Sequence, residues 1–292
     1  MCTAVQNRSD FMRFIKMHGI GNDYIFVNCF EEQVAEPEKL AVSLSNRHYG
    51  IGGDGLILIK PPQSVGADAK MEIYNADGSK AQMCGNGIRC VAWFIFYYKK
   101  LERDRVFIEA DDRTVKTVYI KKAGYNIESI TVNMGRPKLC ISEIPAVFAS
   151  KDKIIGERLT VNDREFEITC VNMGNPHCVI FSDKPEADGY AEKYGPIIEK
   201  SVEIFPERIN VEFVRVITRK YCRMRVWERG SGITLACGTG ACAALVAGVL
   251  NGLLDREVTV ELDGGILTIK WDEETGEVFM TGDVKKVFVG EI

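Results

Sequence analysis

The 292-residue chain has no apolar run long enough to cross a bilayer. Its longest runs, 90–98 and 241–247, hold nine and seven residues, against the roughly 20 that a spanning helix needs. It has no basic excess either. Lys and Arg total 37 against 41 Asp and Glu, a net charge of −4 with no basic run, so neither nucleic acid nor membrane is an expected partner. The opening MCTAVQNRSDF contains no apolar signal core. Nothing there points to export, the cytoplasm is the expected location, and the stretch reads as a loose extension. Histidine is scarce (His18, His48 and His177), and no two of the ten cysteines form C-x-x-C. The common zinc frameworks and the thioredoxin-type motif are thereby excluded, and no metal is expected. There is no G-x-x-x-x-G-K-[ST]. Gly50-Ile51-Gly52-Gly53-Asp54-Gly55 matches G-x-G-x-x-G, but it runs into the strand-like LILIK instead of opening a helix, which is the wrong context for a dinucleotide. No cofactor is expected.

What is present is an internal repeat. Sliding the chain by 153 positions brings four segments into register. Gly21-Asn22 falls on Gly174-Asn175, and Phe26-Val27 on Val179-Ile180. MEIYN (71–75) falls on MRVWE (224–228), and CGNG (84–87) on CGTG (237–240). A shared offset of this kind indicates duplication. About 150 residues per half also suits two domains. The expected division is 1–129, joined by the C-terminal segment 278–292, and 130–277. The closing stretches ITVNMG (130–135) and VFMTG (278–282) also resemble each other.

Residues rich in Val, Ile, Tyr, Phe and Thr, bounded by Gly, Asn, Asp and Pro, predict strands at 13–17, 24–28, 56–60, 70–75, 106–110 and 115–120 in the first half. In the second half they predict strands at 165–171, 177–181, 211–216, 221–228, 258–262 and 266–271. Asp263-Gly264-Gly265 suits a hairpin turn. Helices are expected at 36–47, with Pro37 in the first turn, and at its counterpart 190–201. Two more, 87–99 and 240–251, each follow C-G-x-G and are apolar on nearly every face, so both should be buried. The expected fold is α+β: two pseudo-symmetric copies of a sheet wrapped around a central buried helix, with the active site in the cleft between them.

Cys84 and Cys237 occupy equivalent places, each at the mouth of a buried helix. A helix N-terminus carries unpaired N–H groups and about half a positive charge. Such a field lowers a thiol's pKa, and the N–H groups can hold a carboxylate. The glycines would let the backbone approach a ligand closely. Two thiols facing each other could remove a proton from a carbon beside a carboxylate and return one on the opposite face, base and acid exchanging roles with direction. The plainer alternative is a pair of inert buried thiols, or a disulfide.

These residues carry a resemblance. MHGIGND (17–23), RHYGIGGDGL (47–56), NADGSKAQMCGNGIRC (75–90), NMGNPHCV (172–179), ERIN (207–210) and WERGSGITLACGTGA (227–241) resemble the diaminopimelate epimerases, cofactor-independent two-cysteine enzymes. The resemblance implies interconversion of LL- and meso-diaminopimelate for lysine and peptidoglycan precursors, in a homodimer, without pyridoxal phosphate or metal. It implies that Cys84 and Cys237 are the acid/base thiols, supported by His177 and Glu228. The N–H groups of Gly85, Asn86, Gly238 and Thr239 would hold the carboxylate at the reacting centre. Asn22, Asn75, Asn175 and Asn210 would line the pocket, and Glu228 and Arg229 would recognise the substrate's amino and carboxylate groups. His18 and His48 are expected to support loops. Many members carry Gln where Gly55 stands, so a side-chain contact there must be lost or replaced. Two other readings stay open: a racemase for another amino acid, and a non-catalytic thiol sensor.

Overall fold

The computed structural model describes residues 11–81, 83–111, 113–124, 126–148, 152–162, 164–183 and 189–292. The N-terminal extension read from the sequence lies, apart from Phe11, outside the described residues. In the first half the strands are β1 (Arg13–Gly19), β2 (Asn22–Asn28), β3 (Gly55–Lys60), β4 (Ala69–Asn75), β5 (Lys80–Ala81), β6 (Arg105–Glu109), β7 (Val115–Ala123) and β8 (Asn126–Gly135), with helices α1 (Pro37–Ser45) and α2 (Gly85–Tyr98). The second half has β9 (Glu157–Val161), β10 (Arg164–Asn172), β11 (Pro176–Phe181), β12 (Asn210–Thr218), β13 (Tyr221–Glu228), β14 (Gly232–Ile233), β15 (Glu257–Leu262), β16 (Gly265–Trp271), β17 (Val278–Gly282) and β18 (Lys285–Glu291). Its helices are α3 (Tyr190–Glu199) and α4 (Gly238–Leu250).

Strand pairing repeats itself. In the first half the order is β18-β1-β2-β3-β4-β6-β7-β8. In the second it is β9-β10-β11-β12-β13-β15-β16-β17. The parallel pairs fall at the same places in both, β2–β3 and β4–β6 against β11–β12 and β13–β15. Antiparallel pairing of β8 with β17 joins the two halves into one surface. β18, at the C-terminal end, pairs with β1. Position 129/130 falls inside β8, which pairs with β7 on one side and β17 on the other.

Each half wraps its sheet around one helix because that helix has no polar face to give to water. α4 is buried from Gly240 through Gly248, and α2 is buried over most of its first nine residues and emerges only at Tyr97 and Tyr98. One continuous apolar core holds both helices with the inward faces of the strands. Burying a Leu, Ile or Val side chain contributes about 1.5–3 kcal/mol, so these helices are stabilised by their surroundings more than by propensity. The outer helices α1 and α3 cover smaller apolar clusters on the sheets' other faces. α3 lies close to β13: a Cβ on Gly195 would come within 2.4 Å of Cβ of Trp227.

The glycine-rich loop 50–55 does local work. The N–H groups of Gly50, Gly52 and Gly53 bond the carbonyls of Asn46, Leu44 and Ser45, satisfying the C-terminal end of α1. A side chain at Gly50 would strike the Ser43 carbonyl at 2.4 Å. The loop is a helix terminator leading into β3.

Candidate active site

The N-termini of α2 and α4 meet beside each other. Cys84 is the N-cap of α2, its backbone extended, and its Sγ accepts the Gly87 N–H at 3.2 Å. Cys237 caps α4 in the same way, accepting the Gly240 N–H at 3.3 Å. Met280 of β17 wedges between the two helix ends: a Cβ at Gly85 would lie 2.7 Å from its Cε, and one at Gly238 would lie 2.8 Å from its Sδ. The first glycine of each C-G-x-G therefore makes room for Met280. The second faces the sheet, where a Cβ at Gly87 would meet Ile57 at 2.6 Å and one at Gly240 would meet Glu212 at 2.7 Å. These contacts add a packing requirement to the ligand approach expected from the sequence.

Both sulfurs line one cavity of about 230 Å³. Asn22, Asn75, Gly85, Asn86, Asn175, Asn210, Glu228, Arg229, Gly238 and Thr239 line it with them. Of the site residues read from the sequence, only His177 is set back from the wall; it is fully buried. The cavity continues outward into a larger opening that shares Asn22, Asn75 and Glu228 and adds Arg47, Asp54 and Asp77.

Hydrogen bonds order the walls. The Cys84 thiol donates to Asn22 Oδ1 at 3.3 Å, and Asn86 Nδ2 donates to the same oxygen at 3.3 Å. Asn22 Nδ2 donates in turn to Asp54 at 2.8 Å, and Arg47 bridges Asp54 and Asp23 at 2.9 and 2.7 Å. On the other side, His177 Nδ1 lies 2.6 Å from Glu212 Oε1 and Nε2 lies 2.9 Å from Asn175 Oδ1. One donor atom each from His177, Glu212 and Cys237 falls within 4.8 Å of the others. With both imidazole nitrogens engaged, the group forms a hydrogen-bonded cluster rather than an open metal site. Asn210 donates to the Pro176 carbonyl at 2.8 Å and accepts the Arg229 N–H at 2.9 Å. The Arg229 guanidinium bonds the Glu207 carbonyl at 2.9 Å, Glu228 accepts from the Thr234 hydroxyl, and Asn75 donates to Ser79 at 3.0 Å.

The electrostatics differ from the sequence expectation. Burial pushes the Cys84 thiol above its ordinary value; the Gly87 N–H, the Tyr24 hydroxyl and the Asn86 N–H pull it back only in part. Cys237 is pushed well up, by burial and then by the neighbouring Glu228 and Glu212 carboxylates, against Thr239 and the Gly240 N–H. The helix N-termini do favour thiolate, but desolvation outweighs them. Glu228 is raised by burial despite the Thr234 hydroxyl. In the free protein both sulfurs therefore favour the protonated state.

Four neighbours of the site went unread in the sequence. Tyr24 and Met280 carried no signal beyond being apolar strand residues. Glu212 is a lone acid within the apolar stretch NVEFV, and it is fully buried. Arg89 is the only charge in α2; it too is fully buried, its guanidinium bonding Asn86 Oδ1 at 2.8 Å and the Gly85 carbonyl at 3.3 Å. A charge inside an otherwise apolar run was the available cue for both.

A duplicated α+β fold with twin N-cap thiols on one cavity defines a class. A probable proline racemase from Agrobacterium radiobacter has this fold, with a TM-score of 0.72 at 13% identity over 96% of this chain and 92% of that one. The family model for diaminopimelate epimerase matches residues 14–140 and 169–287. The diaminopimelate epimerase of Agathobacter rectalis is 46% identical over 96% of this chain and 99% of its own length. That of Acetivibrio thermocellus is 48% identical over 96% and 98%. The chain belongs to the diaminopimelate epimerase family.

Proposed function

We propose that the protein interconverts LL- and meso-diaminopimelate by proton transfer between Cys84 and Cys237 across the cavity they share. The observation that carries this reading is the placement of two cysteines, each the N-cap of its half's central helix, on the wall of one 230 Å³ cavity. One sulfur takes the α-proton as thiolate. The other delivers its proton to the opposite face, and the roles reverse with direction. The N–H groups at Gly85, Asn86, Gly238 and Thr239 hold the adjacent carboxylate. As the C–H bond breaks, charge flows into that carboxylate, where the two helix ends, each worth about half a positive charge, stabilise it.

Burial strengthens the thiolate as a base once it forms, because a raised pKa means higher proton affinity. Glu228 receives the substrate's ammonium group. Arg229, with Asn75, Asn175 and Asn210, receives the substrate's far end, and Asn22 orders the Cys84 side. His177 supports Cys237 from behind the wall. The two halves are copies of one ancestral unit, with the C-terminal strand β18 returning to the first half. The enzyme acts as a cytoplasmic homodimer with a small-molecule substrate, feeding lysine and peptidoglycan precursor synthesis. Among the described residues no helix is long and apolar enough to cross a membrane.

The test is stereochemical. Purified protein, without added cofactor, is given LL-diaminopimelate and, separately, L-proline, and products are resolved by chiral chromatography. Formation of meso-diaminopimelate, with proline unchanged, is expected. Turnover of proline alone would favour a different racemase. A requirement for reductant is compatible with the epimerase, whose disulfide form would be inactive. Changes in partner binding on oxidation, without turnover of either amino acid, would favour a thiol sensor.

A further inference from the structure

Superposing the two halves by their strand pairing exposes one place where they disagree. On β2–β3, Tyr24 stands opposite Gly55, with Ile57 two residues on. On β11–β12, His177 stands opposite Asn210, with Glu212 two residues on. These are equivalent positions. A Cβ at Gly87 would lie 2.6 Å from Ile57 and 3.5 Å from the Cys84 sulfur, and one at Gly240 would lie 2.7 Å from Glu212 and 3.2 Å from the Cys237 sulfur. The same niche against each thiol thus holds a methyl group on one side and a carboxylate oxygen on the other. The strand residue beside it is a phenol on one side and an imidazole on the other.

We propose that Tyr24 and Glu212 make the two thiols unequal in the substrate-free protein, so that Cys84 loses its proton first while Cys237 keeps its own. The proposal rests on the two-thiol reading above and concerns which sulfur starts as the base. The groups facing each sulfur support it. Cys84 is met by the Tyr24 hydroxyl and by the N–H groups of Gly87 and Asn86, with Glu228 as its nearby carboxylate and the Arg89 cation set further back on Asn86 Oδ1, while its own S–H is donated to Asn22 Oδ1, a contact that favours the thiol. The Tyr24 hydroxyl is itself buried and raised well above its ordinary value, so it remains a donor. Cys237 is met by two carboxylates, Glu228 and Glu212, with His177 bound to the second, and by the donors Thr239 and the Gly240 N–H. Donors and a cation stabilise a thiolate, and carboxylates oppose one.

Cys84 as thiolate forms an S–H bond with the α-proton while the C–H electron pair stays on carbon. Cys237 then breaks its S–H bond and protonates the opposite face. The protein is left with the thiol at Cys84 and the thiolate at Cys237, beside Glu212. That state is the less stable of the two, so between turnovers Cys237 takes up a proton from water while Cys84 releases one to water, which restores the starting pair. Tyr24 and Glu212 are positioning residues here; neither needs to touch the reacting carbon.

The test titrates each sulfur separately in the absence of substrate. Protein is pulsed with iodoacetamide across a pH series, and alkylation of Cys84 and of Cys237 is followed by peptide mass mapping. The midpoint of each rate profile is compared, not the absolute rate, because access to the two sulfurs differs. The Cys84 midpoint is expected to lie lower. Tyr24→Phe should raise it, with about tenfold slower alkylation at a fixed lower pH if the midpoint rises by one unit, and leave Cys237 unchanged. Glu212→Gln should lower the Cys237 midpoint and leave Cys84 unchanged. Coincident or reversed midpoints in the wild-type protein would overturn the proposal whether or not the variants fold. So would a Tyr24→Phe protein with an unshifted Cys84 midpoint. Unequal midpoints in a protein without epimerase activity would instead sink the functional reading and leave the inequality standing.

Discussion

Each N-cap cysteine carries a structural role and the proposed catalytic one, and a pair of substitutions at one position distinguishes them. Cys84 closes the first turn of α2 by accepting the Gly87 N–H, and Cys237 does the same for α4. Replacing either by Ala removes that acceptor, which costs about 1 kcal/mol. A chain of this length unfolds with an entropy on the order of 0.6 kcal/mol/K, so about 1 kcal/mol lowers Tm by about 1.5–2 °C. At Cys237, only 5% exposed, lost packing adds to the lost cap and the Ala variant falls further. Serine restores a good N-cap acceptor, so Cys84→Ser should hold the wild-type Tm. Its hydroxyl is nevertheless far too weak an acid to supply a base at neutral pH. Loss of a general acid or base typically costs about 10²–10⁴-fold, and the Ser and Ala variants should lose turnover alike. Differential scanning calorimetry and a stereochemical assay on the four variants read the two effects independently. A serine variant retaining a tenth of wild-type turnover would refute the thiol chemistry. Equal Tm values for the Ala and Ser variants would refute the capping role.

Two further predictions concern the frame around the site. Burial raises the Glu72 carboxyl, but the bound ammonium groups of Lys60 and Lys70 overcome this and hold it at about 2. Its ordinary value is 4.5. Because the folded value is the lower one, the stabilisation is complete above about pH 4.5 and is lost as pH falls towards 2. Glu72→Gln should therefore reduce the urea midpoint at pH 6 more than at pH 3, and an equal reduction at both would contradict the assignment. At Gly55 a Cβ would lie 2.2 Å from the Tyr74 carbonyl and 2.9 Å from the Tyr24 ring. Gly55→Gln should then destabilise the protein by about 3 kcal/mol or more, measured by urea unfolding; a wild-type midpoint would show that the ring and strand move aside freely.

Gly55 also shows what a sequence can and cannot convey. A departure from the Gln that the resemblance leads one to expect is visible in the sequence, but its reason is not, since the Tyr24 ring that fills the space lies on a neighbouring strand. The central strands and all four helices were legible because their apolar periodicity and bounding turns are local. β9 and β18 went unread: both pair on one side only, and β18 (KKVFVGE) is exposed along most of its length, so burial imposes little pattern on it. The twin helix mouths were legible from the repeat of C-G-x-G. The sequence cannot show the second requirement on their glycines, which Met280, nearly 200 residues from Cys84, imposes at Gly85 and Gly238. The direction of the thiol shifts was misjudged for a related reason. A helix end can be recognised in a motif, but the depth of burial that outweighs it emerges only when both halves close around the cavity. Glu212 illustrates the converse, a signal that was present and unread, because an acid in a buried strand declares itself by its company.

The central claim, that two sulfurs on opposite sides of the α-carbon exchange one proton each, is tested most directly by isotope. Unlabelled LL-diaminopimelate is converted in deuterium oxide, the reaction is stopped at low conversion, and both isomers are isolated and weighed by mass spectrometry. The account predicts one deuterium at the inverted carbon of every meso molecule, and none in the LL-diaminopimelate that remains. Unlabelled meso product, carrying back the proton that was removed, would mean that a single base serves both faces, and would contradict it.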